Sequence, residues 1–296
     1  MTVNRLPVAV FYSVNCIVGI IGNILLIVCF FKNPKLNSPC HILITLLCLC
    51  DILNQSGTLS YAVSIFLNLT STQSTCFYVQ SLPLMGAAAG SMLLLAIGAD
   101  RLFGVYFPTR YRVVGLCKKR YLFIMLFLPI LYTVSIGFIA FEFRRKEDET
   151  QILCTFPRSM NGPAFKIFLL ASVFINLCIL SVYMAVYLSL RTHRTTARFK
   201  KVFHSIALTV VLVLCGWVAS SLWSILMIMF VTDPIQYEQF SLYCGVPVQF
   251  SLSTNVFVFY AVNPDYRKTI RSLFGCESLP VLTTISGIKV GMSSVM

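Results

Sequence analysis

Charge is what this sequence has least of. Only 11% of its 296 residues are Asp, Glu, Lys or Arg, and just ten are acidic; a soluble domain usually carries about 25%. With 57% hydrophobic residues, most of the folded surface must face something other than water, which excludes an ordinary soluble domain. Three histidines (His41, His193, His204) and no Cys-x-x-Cys pair leave a metal-ligating cluster without support. A nucleophile–base pair and a phosphate-cradling loop are also missing, so an enzyme has no chemistry to run on. Intramembrane proteolysis would need paired aspartates or Ser-His within the apolar runs, and the histidines all fall near the cytoplasmic face in the orientation that the basic loops favour. No internal repeat, low-complexity tract or separate soluble domain is visible. Met1–Leu6 is too short for a cleavable signal peptide, so the first apolar run is expected to act as an uncleaved insertion signal.

What is abundant is long apolar sequence. Seven runs are each long enough to span a bilayer: Val8–Phe31, Cys40–Phe66, Thr75–Val105, Tyr121–Phe141, Ala164–Leu190, Val202–Val231 and Phe240–Val262. Backbone hydrogen bonds must close within each span, so helices are expected. The fold class is therefore all-α, a seven-transmembrane helix bundle. The expected organisation is an extracellular N-terminus (1–7), the seven-span bundle (8–262) and a short amphipathic helix with a cytoplasmic tail (263–296).

The net charge of +13 is concentrated in particular loops, as membrane orientation requires, and does not point to nucleic acid. With the N-terminus outside, the cytoplasmic side receives Lys32 and Lys35, the group from Arg101 to Arg120, the group from Arg191 to Lys201, and Arg267, Lys268, Arg271 and Lys289. Only Arg5, Arg144, Arg145, Lys146, Arg158 and Lys166 remain outside. Asn68-Leu69-Thr70 is a glycosylation sequon in a loop that this topology places outside, whereas Asn54-Gln55-Ser56 lies within a span. Cys76 and Cys154 share that outer, oxidising face, so a Cys76–Cys154 disulfide is expected, tethering the charged loop 144–149 across the third span. Cys16, Cys29, Cys48, Cys50, Cys178 and Cys215 sit inside apolar runs and read as small packing residues.

Arg101 lies 25 residues beyond Cys76, about 37 Å at a helical rise of about 1.5 Å per residue, more than the roughly 30 Å of a hydrocarbon core. One span thus carries a cysteine at one face and the pair Asp100-Arg101 at the other, where water is close. Asp51 is the deepest ionisable residue, and an ionisable group inside a span is a functional hypothesis by default. Tyr266, Ile270, Leu273 and Phe274 recur at helical spacing opposite Arg267, Lys268 and Arg271, a short amphipathic helix suited to an anionic leaflet. Cys276 follows, either palmitoylated as a second anchor or an unmodified thiol.

These features together resemble the rhodopsin-like (class A) G-protein-coupled receptors. Gly22-Asn23 is similar to that family's first-span GN pair, Leu47 and Asp51 to its LxxxD, and Asp100-Arg101 with Pro108 and Tyr111 to its DRY and second-loop PxxY. Asn263 to Lys268 looks like the start of its helix 8, which places Asn255 at the Asn of NPxxY. Departures are equally plain. Leu102 replaces the DRY tyrosine, and Val256 and Phe259 stand for the Pro and Tyr of NPxxY. No proline follows Pro163 in the fifth and sixth spans, Cys215-Gly216-Trp217 only approximates CWxP, and the fourth span has no tryptophan. With Phe107 to Arg112, this pattern is most similar to the nematode serpentine chemoreceptors of class sx.

The resemblance implies that Asp100 restrains Arg101 at rest, and that Arg101 is freed when the sixth helix swings outward and then packs against the C-terminal helix of a heterotrimeric G-protein α subunit. The bland alternative is a basic interfacial anchor. The resemblance also implies a polar core of Asn23, Asp51 and Asn255 with a sodium site at Asp51, although Gly90 stands where a serine is usual; the bland alternative is a structural acid hydrogen-bonded to Asn23 and Asn255. Loss of Pro at position 256 removes a source of helix kinking. Trp217 reads either as a packing residue or as a switch at the ligand floor.

Candidate ligand-pocket residues are Gln80, Leu84, Ala87, Trp217, Tyr243 and Gln249. The upper third span has no carboxylate for an amine, and the seventh has no lysine for a retinal Schiff base. An extracellular small, largely apolar, chemosensory ligand is the expectation. The alternative is a neuropeptide received by the charged outer loop. A transporter or channel would more often show repeats, broken helices or several intramembrane charges. The expected setting is the plasma membrane.

Overall fold

The computed structural model describes residues 6–114, 117–144, 149–192, 197–231, 233, 236, 240 and 242–275. Its helices are α1 (Leu6–Lys32), α2 (Pro39–Phe66), α3 (Gln73–Tyr106), α4 (Pro108–Val114), α5 (Lys118–Glu142), α6 (Phe156–Ser159), α7 (Gly162–Thr192), α8 (Ala197–Phe230), α9 (Val246–Ser253), α10 (Asn255–Val262) and α11 (Pro264–Leu273). Among them α1, α2, α3, α5 and α7 are long and apolar enough to cross a membrane. Shorter apolar stretches fall at Ile206–Ser220 in α8 and at Val246–Val262. The outward faces are apolar, as lipid requires: Phe123, Phe127, Ile130 and Phe138 on α5 and Leu170, Phe174 and Leu177 on α7 are all exposed.

Where the outside solvent is as apolar as the core, helices associate through close packing and buried hydrogen bonds more than through hydrophobic burial. Missing side chains mark these contacts. A Cβ on Gly86 of α3 would meet the Cys50 carbonyl oxygen at 2.6 Å and the Asn54 nitrogen at 2.9 Å, both backbone atoms of α2. On α8, a Cβ at Gly216 would come within 2.8 Å of the Pro247 carbonyl oxygen. Backbone cannot yield as a flexible side chain can. Gly86→Ala is therefore expected to cost about 1–3 kcal/mol, seen as a lower thermal unfolding midpoint of the detergent-solubilised protein. An unchanged midpoint would contradict this close approach.

The seventh crossing departs from expectation twice. Residues 242–245 form a turn, and α9 starts after it at Val246, with Pro247 in its first positions, where a missing N–H costs nothing. The crossing is then interrupted at Thr254, directly before Asn255, although no proline is present. Serine and threonine take its place. Ser251, Ser253 and Thr254 donate their hydroxyls to the carbonyls three residues earlier, at 2.7, 2.9 and 2.7 Å, drawing those acceptors away from the regular ladder. Val256, standing where the family has proline, packs on Gly22, whose Cβ would lie 2.7 Å from Val256 Cγ1.

Helix α11 starts at Asn263, whose Oδ1 accepts from the Asp265 amide at 3.0 Å. Its apolar face is divided. Tyr266 is fully buried under the bundle against Phe259 (ring centroids 5.0 Å) and His41 (6.0 Å), and Ile270 is buried beside it, while Leu273 and Phe274 are exposed. The lipid-facing surface expected of this helix thus begins only in its last turn, because the bundle floor claims the first. Cys276 lies outside the described residues.

Candidate functional site

The end of the bundle that carries the basic loops closes over a four-residue polar cluster. Asp100 and Arg101, expected near water, are instead 0% and 5% exposed. Arg101 Nε donates to Asp100 Oδ2 at 2.9 Å, and its Nη2 donates to the same oxygen. Helix α4 folds back beneath α3 and brings Tyr111 into contact. The Tyr111 hydroxyl accepts from Arg101 Nη2 at 2.8 Å and donates toward both Asp100 oxygens at 3.2 Å. From the first turn of α5, Tyr121 donates to Asp100 Oδ1 at 2.9 Å. The two tyrosines and Phe103 form an aromatic shell, with centroid separations of 6.2 to 6.5 Å, which displaces the expected water.

Burial raises Tyr111 above the ordinary tyrosine range, with the Asp100 carboxylate adding to the rise and Arg101 opposing it. Its hydroxyl therefore keeps the proton that it donates. Pro108, at the first position of α4, supplies the fixed φ that suits a helix start and so sets where Tyr111 falls. Tyr121 is the member that sequence reading missed. Standing first in an apolar run, it gave no sign beyond being a tyrosine, since its partner lies 21 positions away.

Near mid-bundle, Asn255 Nδ2 donates to Asp51 Oδ2 at 2.7 Å. Asn23, expected as the other partner of Asp51, makes no such bond: both polar atoms of its buried amide lack a hydrogen-bond partner, as does Asn255 Oδ1. Asn255, just past the break at Thr254, reaches Asp51 from the turn of chain that the interruption releases. A cavity of about 30 Å³ adjoins the pair, bordered by Asn54, Ser91, Asn176, Thr209 and Trp217. That is room for one or two waters.

Of the six pocket candidates, Ala87 and Trp217 line this cavity. Gln80 is buried between α2 and α3, donating to the Gly57 carbonyl at 3.1 Å. Leu84 packs with Phe77, Ala88 and Ile136. Tyr243 is exposed before α9, and the backbone carbonyl of Gln249 accepts from Asn15 Nδ2 of α1 at 2.7 Å. Asn54, Ser91, Asn176 and Thr209 went unread, because nothing in a uniformly apolar helix sets which face turns inward.

At the opposite end Cys76 and Cys154 form a disulfide. The loop it holds also pairs Ser71 with Ile152 through backbone bonds of 2.9 and 3.0 Å. It buries Leu153 among Val8, Tyr12, Tyr61, Ile65 and Leu242. Asn68 is exposed at this end, in a left-handed turn with φ of 51° that asparagine tolerates.

A family model described as serpentine type 7TM GPCR chemoreceptor Srsx matches residues 16–274. The chain is also similar to an alpha-1A adrenergic receptor of Oryzias latipes, 25% identical over 190 residues, which cover 63% of this chain and 40% of that receptor.

Proposed function

The chain belongs to the Srsx family of serpentine-type seven-transmembrane G-protein-coupled chemoreceptors, and we propose that it detects a small, largely apolar molecule from outside the cell and activates a heterotrimeric G protein within. As a member of that family it is a multi-pass membrane receptor and not an enzyme. The plasma membrane is its proposed location, with the N-terminus and the Cys76–Cys154 end outside, an orientation supported by the crowding of Lys and Arg at the other end. Asn68, exposed on the outer side, is the proposed glycan acceptor.

One observation carries the coupling role: the buried cluster of Asp100, Arg101 and Tyr111 at the basic end. A guanidinium withdrawn from water and held by a carboxylate and a phenol is poised for a population shift. Once released, it is offered to the C-terminal helix of a G-protein α subunit entering the opened cavity. Nucleotide exchange on a purified heterotrimer, with and without Arg101, tests this role.

Upstream, Ala87 and Trp217 at the cavity form the proposed floor of the ligand site. A cavity of about 30 Å³ is far below the 300–1,000 Å³ of drug-sized ligand sites, so binding requires the helices above it to part. An amine ligand of the adrenergic kind is not proposed, because this part of α3 offers Gln80, Leu84 and Ala87 where a cation would need a carboxylate. The cavity also fits a sodium ion: the Asp51 carboxylate, the unpartnered Asn255 Oδ1 and the unpartnered Thr209 hydroxyl are oxygen donors around it, the chemistry hard cations prefer. If sodium binds there, raising sodium from about 10 to about 150 mM should lower agonist affinity severalfold in wild type and leave Asp51→Asn unaffected. Equal sensitivity would remove sodium from the account.

A further inference from the structure

We propose that Tyr121 is the second restraint on the resting switch, so that Arg101 is held from the α4–α5 side of the bundle and is released when that side moves. The inference rests on the coupling role proposed for Asp100 and Arg101.

It starts from a count of hydrogen-bonding capacity. Asp100 is fully buried beside a guanidinium, and a buried carboxylate is stable only when its oxygens are satisfied. Oδ2 receives Arg101 twice, and Oδ1 receives the Tyr121 hydroxyl at 2.9 Å. Tyr111 has one proton to share across two oxygens at 3.2 Å, the longer and weaker contact. Tyr121 is therefore the principal neutral donor to the oxygen that Arg101 does not reach. Its ring stacks on Phe103, which leaves the hydroxyl little choice of direction.

The ends of α7 and α8 on this side of the membrane carry bases where α4 and α5 carry tyrosines. The first ten residues of α8, Ala197 to Ile206, include Arg198, Lys200, Lys201 and His204 and contain no carboxylate. The last turn of α7 brings Arg191. Neither segment offers Arg101 a carboxylate to pair with. The tyrosine hydroxyls that bond Asp100 come from α4 and α5. Lys118, one turn before Tyr121 on α5, donates to the Asn37 carbonyl in the loop between α1 and α2 at 2.9 Å. That bond pins the start of α5 and hence the position of the Tyr121 hydroxyl. Tyr121 is a positioning residue: it reaches the G protein only through Asp100 and Arg101.

The test compares wild type, Tyr121→Phe and Arg101→Ala, purified in nanodiscs. Phenylalanine keeps the ring on Phe103 and removes only the hydroxyl, and Tyr111→Phe serves as a second variant with the same logic. Two readouts are taken: ligand-free nucleotide exchange on a panel of heterotrimers, and hydrogen exchange of the α4 backbone amides. Tyr121→Phe should raise ligand-free exchange about tenfold, the effect of one lost hydrogen bond to a charged group, and should speed amide exchange in α4. Tyr111→Phe should do the same to a smaller extent. Unchanged α4 protection together with unchanged basal activity in Tyr121→Phe would overturn the inference. If wild type and Arg101→Ala catalyse no exchange on any heterotrimer, the coupling role fails by itself, and α4 amide exchange still decides whether Tyr121 restrains the cluster.

Discussion

Arg101→Ala will reduce receptor-dependent nucleotide exchange to the rate seen without receptor, at normal surface expression. Arg101 is the only cation bonded to Asp100 among the described residues, and its guanidinium engages both Asp100 and Tyr111. Alanine removes the group offered to the G protein, so no compensating contact is left to carry coupling. The same change leaves a buried carboxylate facing two tyrosine hydroxyls alone. Stranding a buried charge costs about 3–5 kcal/mol, so the purified variant should also unfold at a lower temperature. These consequences separate in Arg101→Lys, which keeps the charge but loses the planar fork that reaches two partners. Lysine should recover much of the stability and little of the coupling. Full coupling by Arg101→Ala at wild-type expression would refute the switch.

The second large effect is expected at the opposite end. Cys154→Ser opens a closed loop spanning 78 positions, and loss of a native disulfide typically costs about 2–5 kcal/mol. More than chain entropy is at stake, because the bridge also holds the Ser71–Ile152 pairing and seats Leu153 in the outer apolar cluster. Surface expression should fall steeply, and the fraction that reaches the surface should resemble reductant-treated wild type. Since the two cysteines form one bond, Cys76→Ser and the double variant should match Cys154→Ser, a fully non-additive cycle. A double variant markedly worse than either single would show that the cysteines act separately.

Much of the bundle was legible in the sequence for one physical reason: lipid tolerates no unpaired backbone, so each apolar run long enough to span must form helix. Six spans begin and end within a few residues of the observed helices. The seventh carries a turn at 242–245 because the run Phe240–Val262 holds Gly245 and Pro247, whose turn chemistry hydropathy does not register. Its break at Thr254 was hidden for a related reason. Proline was the kink source sought, and three back-bonding hydroxyls did the same work.

The site was legible in part. Asp100, Arg101 and Tyr111 meet because α4 is short and Pro108 fixes its start, all local features. Their burial was not readable, since it depends on Tyr121 arriving from another helix. Pocket residues were hardest: α3 is apolar on every side, so its sequence does not say that Ala87 turns to the cavity while Gln80 turns to α2. Asn23 is buried but makes no bond to Asp51, since a polar residue on a neighbouring span need not reach hydrogen-bond distance.

The central claim is that this chain converts an outside chemical signal into nucleotide exchange on a G protein. Proteoliposomes holding the purified receptor and a promiscuous heterotrimer, challenged with a library of small apolar compounds, test it most directly when GTP binding and ion flux are followed together. The account predicts that at least one compound accelerates GTP binding in wild type, that none does so in Arg101→Ala, and that no flux accompanies it. Compound-dependent flux with no change in GTP binding would contradict it.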